Sequence, residues 1–191
     1  DFLTTGTYTA KREFFKTTSP SMDILVSSNL ERLLYHVTGS DTEVAALMKS
    51  LAETGSYTVR PETLRTIQES FACGWSSEEQ VAGEIRARYE QDGYLCDTHT
   101  AVAFHVAAQH KRDGVPMVVL STASPFKFPR SVLEALGQTA PANDFEAMQQ
   151  LEEITGRTAP ASLSALRRKA ERFNTVIDPE QIAQVALSYQ A

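Results

Sequence analysis

The residues best equipped for chemistry stand close together in "YLCDTHTAVAFH", 94–105. Asp97 and His99 could orient an imidazole for acid/base work, since a carboxyl that holds one ring nitrogen fixes which nitrogen carries the proton. Cys96-x-x-His99 raises a metal site, and Cys96 or Cys73 beside a histidine raises a thiol nucleophile. Neither is developed by its surroundings. His99 and His105 are six positions apart, which is not one helical face, Cys73 has no paired ligand nearby, and no third group is placed to orient a nucleophile. No metal site is expected. The other reading of Asp97 or Thr98 is a helix cap, with His99 and His105 as ordinary interior or rim residues.

A second cluster is "LSTASPFKFP", 120–129. Ser121, Thr122, Ser124 and Lys127 lie between an apolar run and the proline that opens a helix, where free amides and the dipole favour an anion. Thr122 could offer a neutral hydroxyl to a heteroaromatic nitrogen. The alternative is a strand-exit turn whose serines satisfy local backbone groups. The third cluster is "SPSMDILVSSNLERLL", 19–34. Here Ser28-x-x-Glu31 has capping-box spacing. Arg32, one turn into that helix, opposes the dipole; it faces either an anionic ligand or a nearby acid on the surface.

The elements that must position these residues are mostly helices. Leu30, Leu33, Leu34 and Val37 keep a helical period up to Gly39, and Val44, Leu47, Met48 and Leu51 do so from Ser40 to Gly55. Pro61 opens a third helix with Leu64, Ile67 and Phe71. Ser76-x-x-Glu79 predicts the cap of a fourth, which carries Val81, Ile85 and Tyr89 towards Gly93. A fifth starts near Asp97 or Thr98, a sixth at Pro129, and a seventh is capped by Asp144. A basic helix follows Pro160, and Asp178-Pro179 starts the last one. Arg167, Arg168, Lys169 and Arg172 on the basic helix, interrupted by Glu171, read as a solvated face. Two strands are predicted, in "VPMVVLSTA" (115–123) and "FNTVID" (173–178). A strand at 117–121, apolar on both faces, needs strand neighbours that this chain does not supply. With Asp1 rather than methionine at its start, the chain is expected to be part of a larger α/β unit.

Bulk properties narrow the function classes. The chain has 191 residues, 42% hydrophobic and 22% charged, which is an ordinary globular composition. A net charge of −6 argues against nucleic acid or an anionic membrane surface as main partner. No apolar run approaches a membrane span and no signal peptide is legible. Two cysteines read as reduced thiols in a cytoplasmic protein.

The three clusters, in their order along the chain (19–34, then 94–105, then 120–129) and at these separations, resemble the C-terminal half of threonine synthase. That family consists of pyridoxal-phosphate enzymes of fold type II, the tryptophan-synthase-β type, and the resemblance runs from about Asp1 to the final helix. It implies an α/β fold of which 1–191 forms one helix-rich, strand-poor C-terminal piece. It implies an enzyme that converts O-phospho-L-homoserine and water into L-threonine and phosphate. Thr122 stands at the family's cofactor-binding threonine, which meets the pyridine nitrogen of pyridoxal phosphate. A neutral hydroxyl there does not hold the nitrogen protonated, which moderates the ring as an electron sink. Ser27, Asn29 and Arg32 are implied contacts in the active-site cleft. The family's Schiff-base lysine and Gly/Asn-rich phosphate loop belong upstream of residue 1, and Lys127 belongs to a different motif, so no catalytic residue is assigned and the isolated chain is expected to be inactive. Ser124 stands where many relatives have histidine, Phe126 replaces a small residue, and Thr98 stands where proline is common. A rival from another class is a mostly helical interaction module that keeps the enzyme's framework without its catalysis. Truncation would leave apolar surface through which the chain self-associates.

Overall fold

The computed structural model describes residues 1–188, in two compact units, Asp1–Ala159 and the residues from Pro160 onward. The first unit begins with one helical turn, α1 (Phe2–Thr5), and a short strand, β1 (Thr7–Thr9). Gly6 joins them at φ +74°, a conformation that a side chain would strain, and its carbonyl accepts the Val59 amide at 2.9 Å. After an irregular stretch and a 3-10 turn at Pro20–Met22 come α2 (Leu30–Thr38), α3 (Asp41–Thr54) and the second strand, β2 (Ser56–Thr58). Strands β1 and β2 pair antiparallel with Tyr8 opposite Tyr57, and α4 (Pro61–Ser70) follows.

These elements enclose one core. Leu34 and Ile67 are fully buried in it beside Phe2, Tyr8, Val44, Tyr57 and Val59, with the Leu30, Leu33 and Val37 stripe of α2 packed against them. Each buried aliphatic side chain contributes about 1.5–3 kcal/mol over leaving it in water. The facing tyrosines stack at 5.4 Å, nearly parallel, and Phe2 meets both edge-on. Burial, and then Tyr8, push the Tyr57 phenol well above its ordinary range.

The rest of the first unit is helical: α5 (Glu78–Asp92), α6 (Thr98–His110), α7 (Pro129–Ala135) and α8 (Asp144–Thr155). Helix α5 packs on α6 and α7, and α7 on α8. Their buried faces supply Val81, Ile85, Ala101, Val132, Leu133, Ala147 and Leu151. Arg86 Nε donates to the Ala135 carbonyl at 3.0 Å and stitches α5 to the end of α7. The second unit holds α9 (Ala161–Ser164), a 3-10 turn at Ala165–Arg168, another at Pro179–Gln181, and α10 (Ile182–Ser188). Among the described residues no helix is long and apolar enough to cross a membrane.

The helix-rich fold with two strands agrees with the sequence, but the strands are not the predicted ones. Residues 115–123 and 173–178 carry no ladder, and the strands are the Thr/Tyr triplets at 7–9 and 56–58. The apolar run 115–120 has no pairing neighbour among the described residues, and Val118 and Leu120 are about three-quarters exposed. The triplets succeed because β-branched and aromatic residues face each other across a pair one face of which is buried.

Three predicted caps move by one residue. Asn29, not Ser28, precedes α2, in a helical conformation that makes no side-chain cap, and its Oδ1 is engaged by Arg32 instead. Helix α5 is capped by Ser77 and Gln80 rather than Ser76 and Glu79. Ser77 Oγ accepts the Gln80 amide, and Gln80 Oε1 accepts the Ser77 amide at 2.8 Å. Asn143, not Asp144, caps α8, its Oδ1 accepting the Phe145 and Glu146 amides. The basic residues after Pro160 are exposed; Arg167 and Arg168 lie in a 3-10 turn that continues the short helix α9, and Lys169 and Arg172 follow it outside any helix.

Candidate cofactor-side site

The N-terminus of α6 brings the three sequence clusters together. Asp97 caps the helix: its Oδ1 accepts the His99 amide at 2.9 Å. The run that follows, Thr98-His99-Thr100, is buried with it, an unusual concentration of polar groups out of contact with water. Every one of them is paired. His99 Nε2 accepts the Ser21 amide at 3.2 Å, which leaves the ring proton on Nδ1, where it is donated to Asp97 Oδ1 at 3.0 Å. Thr100 Oγ1 donates to Asp97 Oδ2 and accepts the Thr122 amide at 3.4 Å. Thr98 Oγ1 donates to the Thr18 carbonyl at 2.8 Å. The His99 ring also lies 4.8 Å from that of Phe128.

The segment from Thr17 to Ser28 has little regular structure, so side chains hold it. Asp23 accepts both the amide and the hydroxyl of Thr17, at 2.8 and 2.7 Å. The Tyr8 hydroxyl donates to the Leu25 carbonyl at 2.9 Å and accepts the Ser27 amide at 2.7 Å. Arg12 adds a bond to the Ile24 carbonyl at 2.8 Å. A buried tyrosine on the small sheet therefore sets the backbone at Ser27. Asn29 and Arg32 are exposed and hydrogen-bonded to each other; among the described residues Arg32 has no acidic partner. No hydrogen bond among the described residues joins the Ser27, Asn29 and Arg32 side chains to Thr122.

At the other side of the site, Thr122 is exposed, with its amide anchored and its hydroxyl bonded to no described residue. Ser124 is drawn into a cap, accepting the Phe126 amide at 3.3 Å, and Phe126 is buried. Lys127 is exposed and lies over the Phe128 ring at 5.4 Å. With Phe128, Arg130, Thr17 and Thr18 it lines a cavity of about 370 Å³.

The cysteine chemistry raised by the sequence is not built here. Cys96 is buried, and its surroundings, with Asp97 next, push its thiol up to about 12, so it stays protonated near neutral pH. Among the described residues no group of three or more His, Cys, Asp or Glu is arranged for a metal ion. His105 lies with Cys73 in the lining of a different cavity. The sequence reading missed Ser21 and Thr100. The legible signal for Thr100 was an N-cap aspartate followed by three consecutive hydrogen-bonding residues just after an apolar run. Nothing marked Ser21, which contributes only its backbone.

A family model described as "Threonine synthase, C-terminal" matches residues 100–186. Threonine synthase of Pseudomonas aeruginosa is 36% identical over 170 residues, covering 87% of this chain and 32% of that protein. The human "Threonine synthase-like 1" is 35% identical over 138 residues, 71% of this chain and 19% of that protein. The crystal structure of PLP-bound threonine synthase from Brucella melitensis superposes with a TM-score of 0.79 at 34% identity, over 97% of this chain and 36% of that one. Yeast threonine synthase gives 0.76 at 26%, over 98% and 39%. The chain thus spans about a third or less of the length of the curated relatives.

Proposed function

The chain belongs to the threonine synthase family, and from that premise we propose that it forms one wall of the cofactor site in a pyridoxal-phosphate enzyme. The reaction of that enzyme converts O-phospho-L-homoserine and water into L-threonine and phosphate. The observation that carries the reading is Thr122. Its amide is tied to the buried network at the start of α6, while its hydroxyl is exposed and uncommitted among the described residues. A fixed backbone with a free neutral hydroxyl fits a partner for the pyridine nitrogen. Pyridoxal phosphate, when bound, supplies an electron sink for negative charge developing at carbon. Thr122 holds the ring nitrogen without a charge of its own, so the nitrogen is not kept protonated.

In this reading Ser27, Asn29 and Arg32 border the substrate cleft. Tyr8 presents the backbone at Ser27, and Arg32 brings a cation with no acidic partner among the described residues. Lys127 sits against Phe128 and takes no covalent role. The Schiff-base lysine and the phosphate loop come from sequence preceding this segment, and the 191 residues alone are inactive. The enzyme works in the cytoplasm, and the segment by itself self-associates through its exposed apolar run.

The test is the visible-edge absorbance of pyridoxal phosphate bound to the full-length protein, with threonine formation measured beside it. Wild type is expected to show the band and the activity. Thr122→Ala is expected to weaken cofactor binding, and Thr122→Asp to alter the band and slow threonine formation by protonating the ring nitrogen. A wild-type protein that binds no pyridoxal phosphate, or variants indistinguishable from it, would sink this reading and favour an interaction module built on the same framework.

A further inference from the structure

We propose that Asp97 and Thr100 are positioning residues: the Asp97 carboxyl fixes proton positions on Thr100 and His99, so that each presents an acceptor to a backbone amide of a different segment. Thr100 fastens Thr122, and His99 fastens Ser21. The link to catalysis rests on the reading of Thr122 given above; the relay itself does not.

A single hydrogen bond among the described residues holds residue 122 in place. Residues 115–123 have no strand ladder, and between 116 and 123 the bond from the Thr122 amide to Thr100 Oγ1 is the one hydrogen bond to the rest of the described chain. The position of Thr122 therefore depends on which way the Thr100 hydroxyl points. A threonine hydroxyl has one proton and can turn it in any direction its neighbours allow. Asp97 Oδ2 takes that proton, which leaves a lone pair facing the Thr122 amide. With no acceptor at 97 the rotor is free to point its proton at that amide.

The same logic runs through His99. A neutral imidazole has one donor and one acceptor nitrogen. Asp97 Oδ1 accepts from Nδ1, so Nε2 is left to accept from Ser21. Asp97 is itself held by the helix it caps, since Oδ1 also accepts the His99 amide. The four residues 97–100 are each at most 5% exposed, so water does not compete for the bonds that Asp97 makes to His99 and Thr100.

Amide hydrogen exchange at residue resolution on the full-length protein, with and without pyridoxal phosphate, separates the two arms. Thr100→Val is expected to speed exchange at Thr122 by roughly three- to tenfold, the effect of losing one ordinary hydrogen bond, and to leave Ser21 unchanged. Thr100→Ser, which restores the hydroxyl, is expected to return it to the wild-type rate. His99→Phe should free Ser21 and spare Thr122. Asp97→Asn decides the case even if Thr100→Val does not fold. Its oxygen still accepts from His99, but its NH2 group cannot take the threonine proton, so the Thr100 hydroxyl loses the partner that fixes it; exchange at Thr122 should rise while that at Ser21 does not. Cofactor affinity should fall by roughly three- to tenfold in Thr100→Val, the effect of one lost hydrogen bond, and recover in Thr100→Ser.

A folded Thr100→Val or Asp97→Asn protein whose Thr122 exchange stays within about twofold of wild type would overturn the relay. A wild type that fails to bind pyridoxal phosphate would overturn the functional reading alone, because the exchange rates still judge the relay.

Discussion

Burial separates the two cysteines by reactivity. Cys73 is exposed, whereas Cys96 is buried just before α6, and that burial raises its thiol to about 12 from an ordinary 9.0. Alkylation of the native chain at pH 8 should label Cys73 and spare Cys96, and unfolding should expose both. Mass spectrometry after a short iodoacetamide pulse checks this, and native labelling of both thiols would contradict it. The raised value also carries a sign. Between about 9 and 12 the unfolded thiol ionises while the folded one does not, so the unfolded state gains and stability falls as pH rises through that window. The contribution of Cys96 is fully present below pH 9. Cys96→Ala should flatten that part of an alkaline stability profile, at the cost of a small cavity. Core truncation is expected to cost more. Leu34→Ala and Leu151→Ala, each at a fully buried position, should lose about 2–5 kcal/mol in urea unfolding.

At the level of elements, the two serines before α5 make opposite predictions. Ser77 makes the capping box, so Ser77→Ala should cost about 1 kcal/mol. Ser76 carries a buried hydroxyl with no partner among the described residues, so Ser76→Ala should cost nothing or stabilise slightly. Thermal unfolding of the two variants side by side is the check. The pair also explains why helix existence was legible and cap register was not. Ser76, Ser77, Glu79 and Gln80 offer two boxes one residue apart, and only the burial of Val81 and Ile85 chooses between them. The same holds at Asn29, whose oxygen could cap α2 but is taken by Arg32. Helix ends marked by Gly39, Gly55, Gly93 and Gly156 were readable because each glycine takes up the left-handed conformation that stops the helix. Of the site, a helix cap at Asp97 or Thr98 and the neutral hydroxyl of Thr122 were visible from residue type. The network joining them was not, since three of its bonds end on backbone groups of Thr18, Ser21 and Thr122, which have no signature in sequence.

For the whole molecule, the run at 115–120 matters most. Its composition is that of a buried strand, and Val115, Met117, Val118 and Leu120 are nevertheless exposed with no ladder on either side. An extended apolar segment with unpaired amides and carbonyls is a template for pairing with an identical segment, because a second copy satisfies the backbone and covers the side chains together. The net charge of −6 opposes this, but it acts over roughly 8–10 Å at ordinary ionic strength and is weakened by salt. The 191-residue chain should therefore associate with rising concentration, and more strongly in 0.5 M salt than in 0.05 M. Replacing Val118 and Leu120 together by lysine removes two side chains from the pairing face and sets like charges against each other in the associated state. That double variant should stay monomeric in light scattering where the parent chain does not, with unchanged helical circular dichroism because neither residue is in a helix. Equal association of both chains would place the contact elsewhere on the molecule.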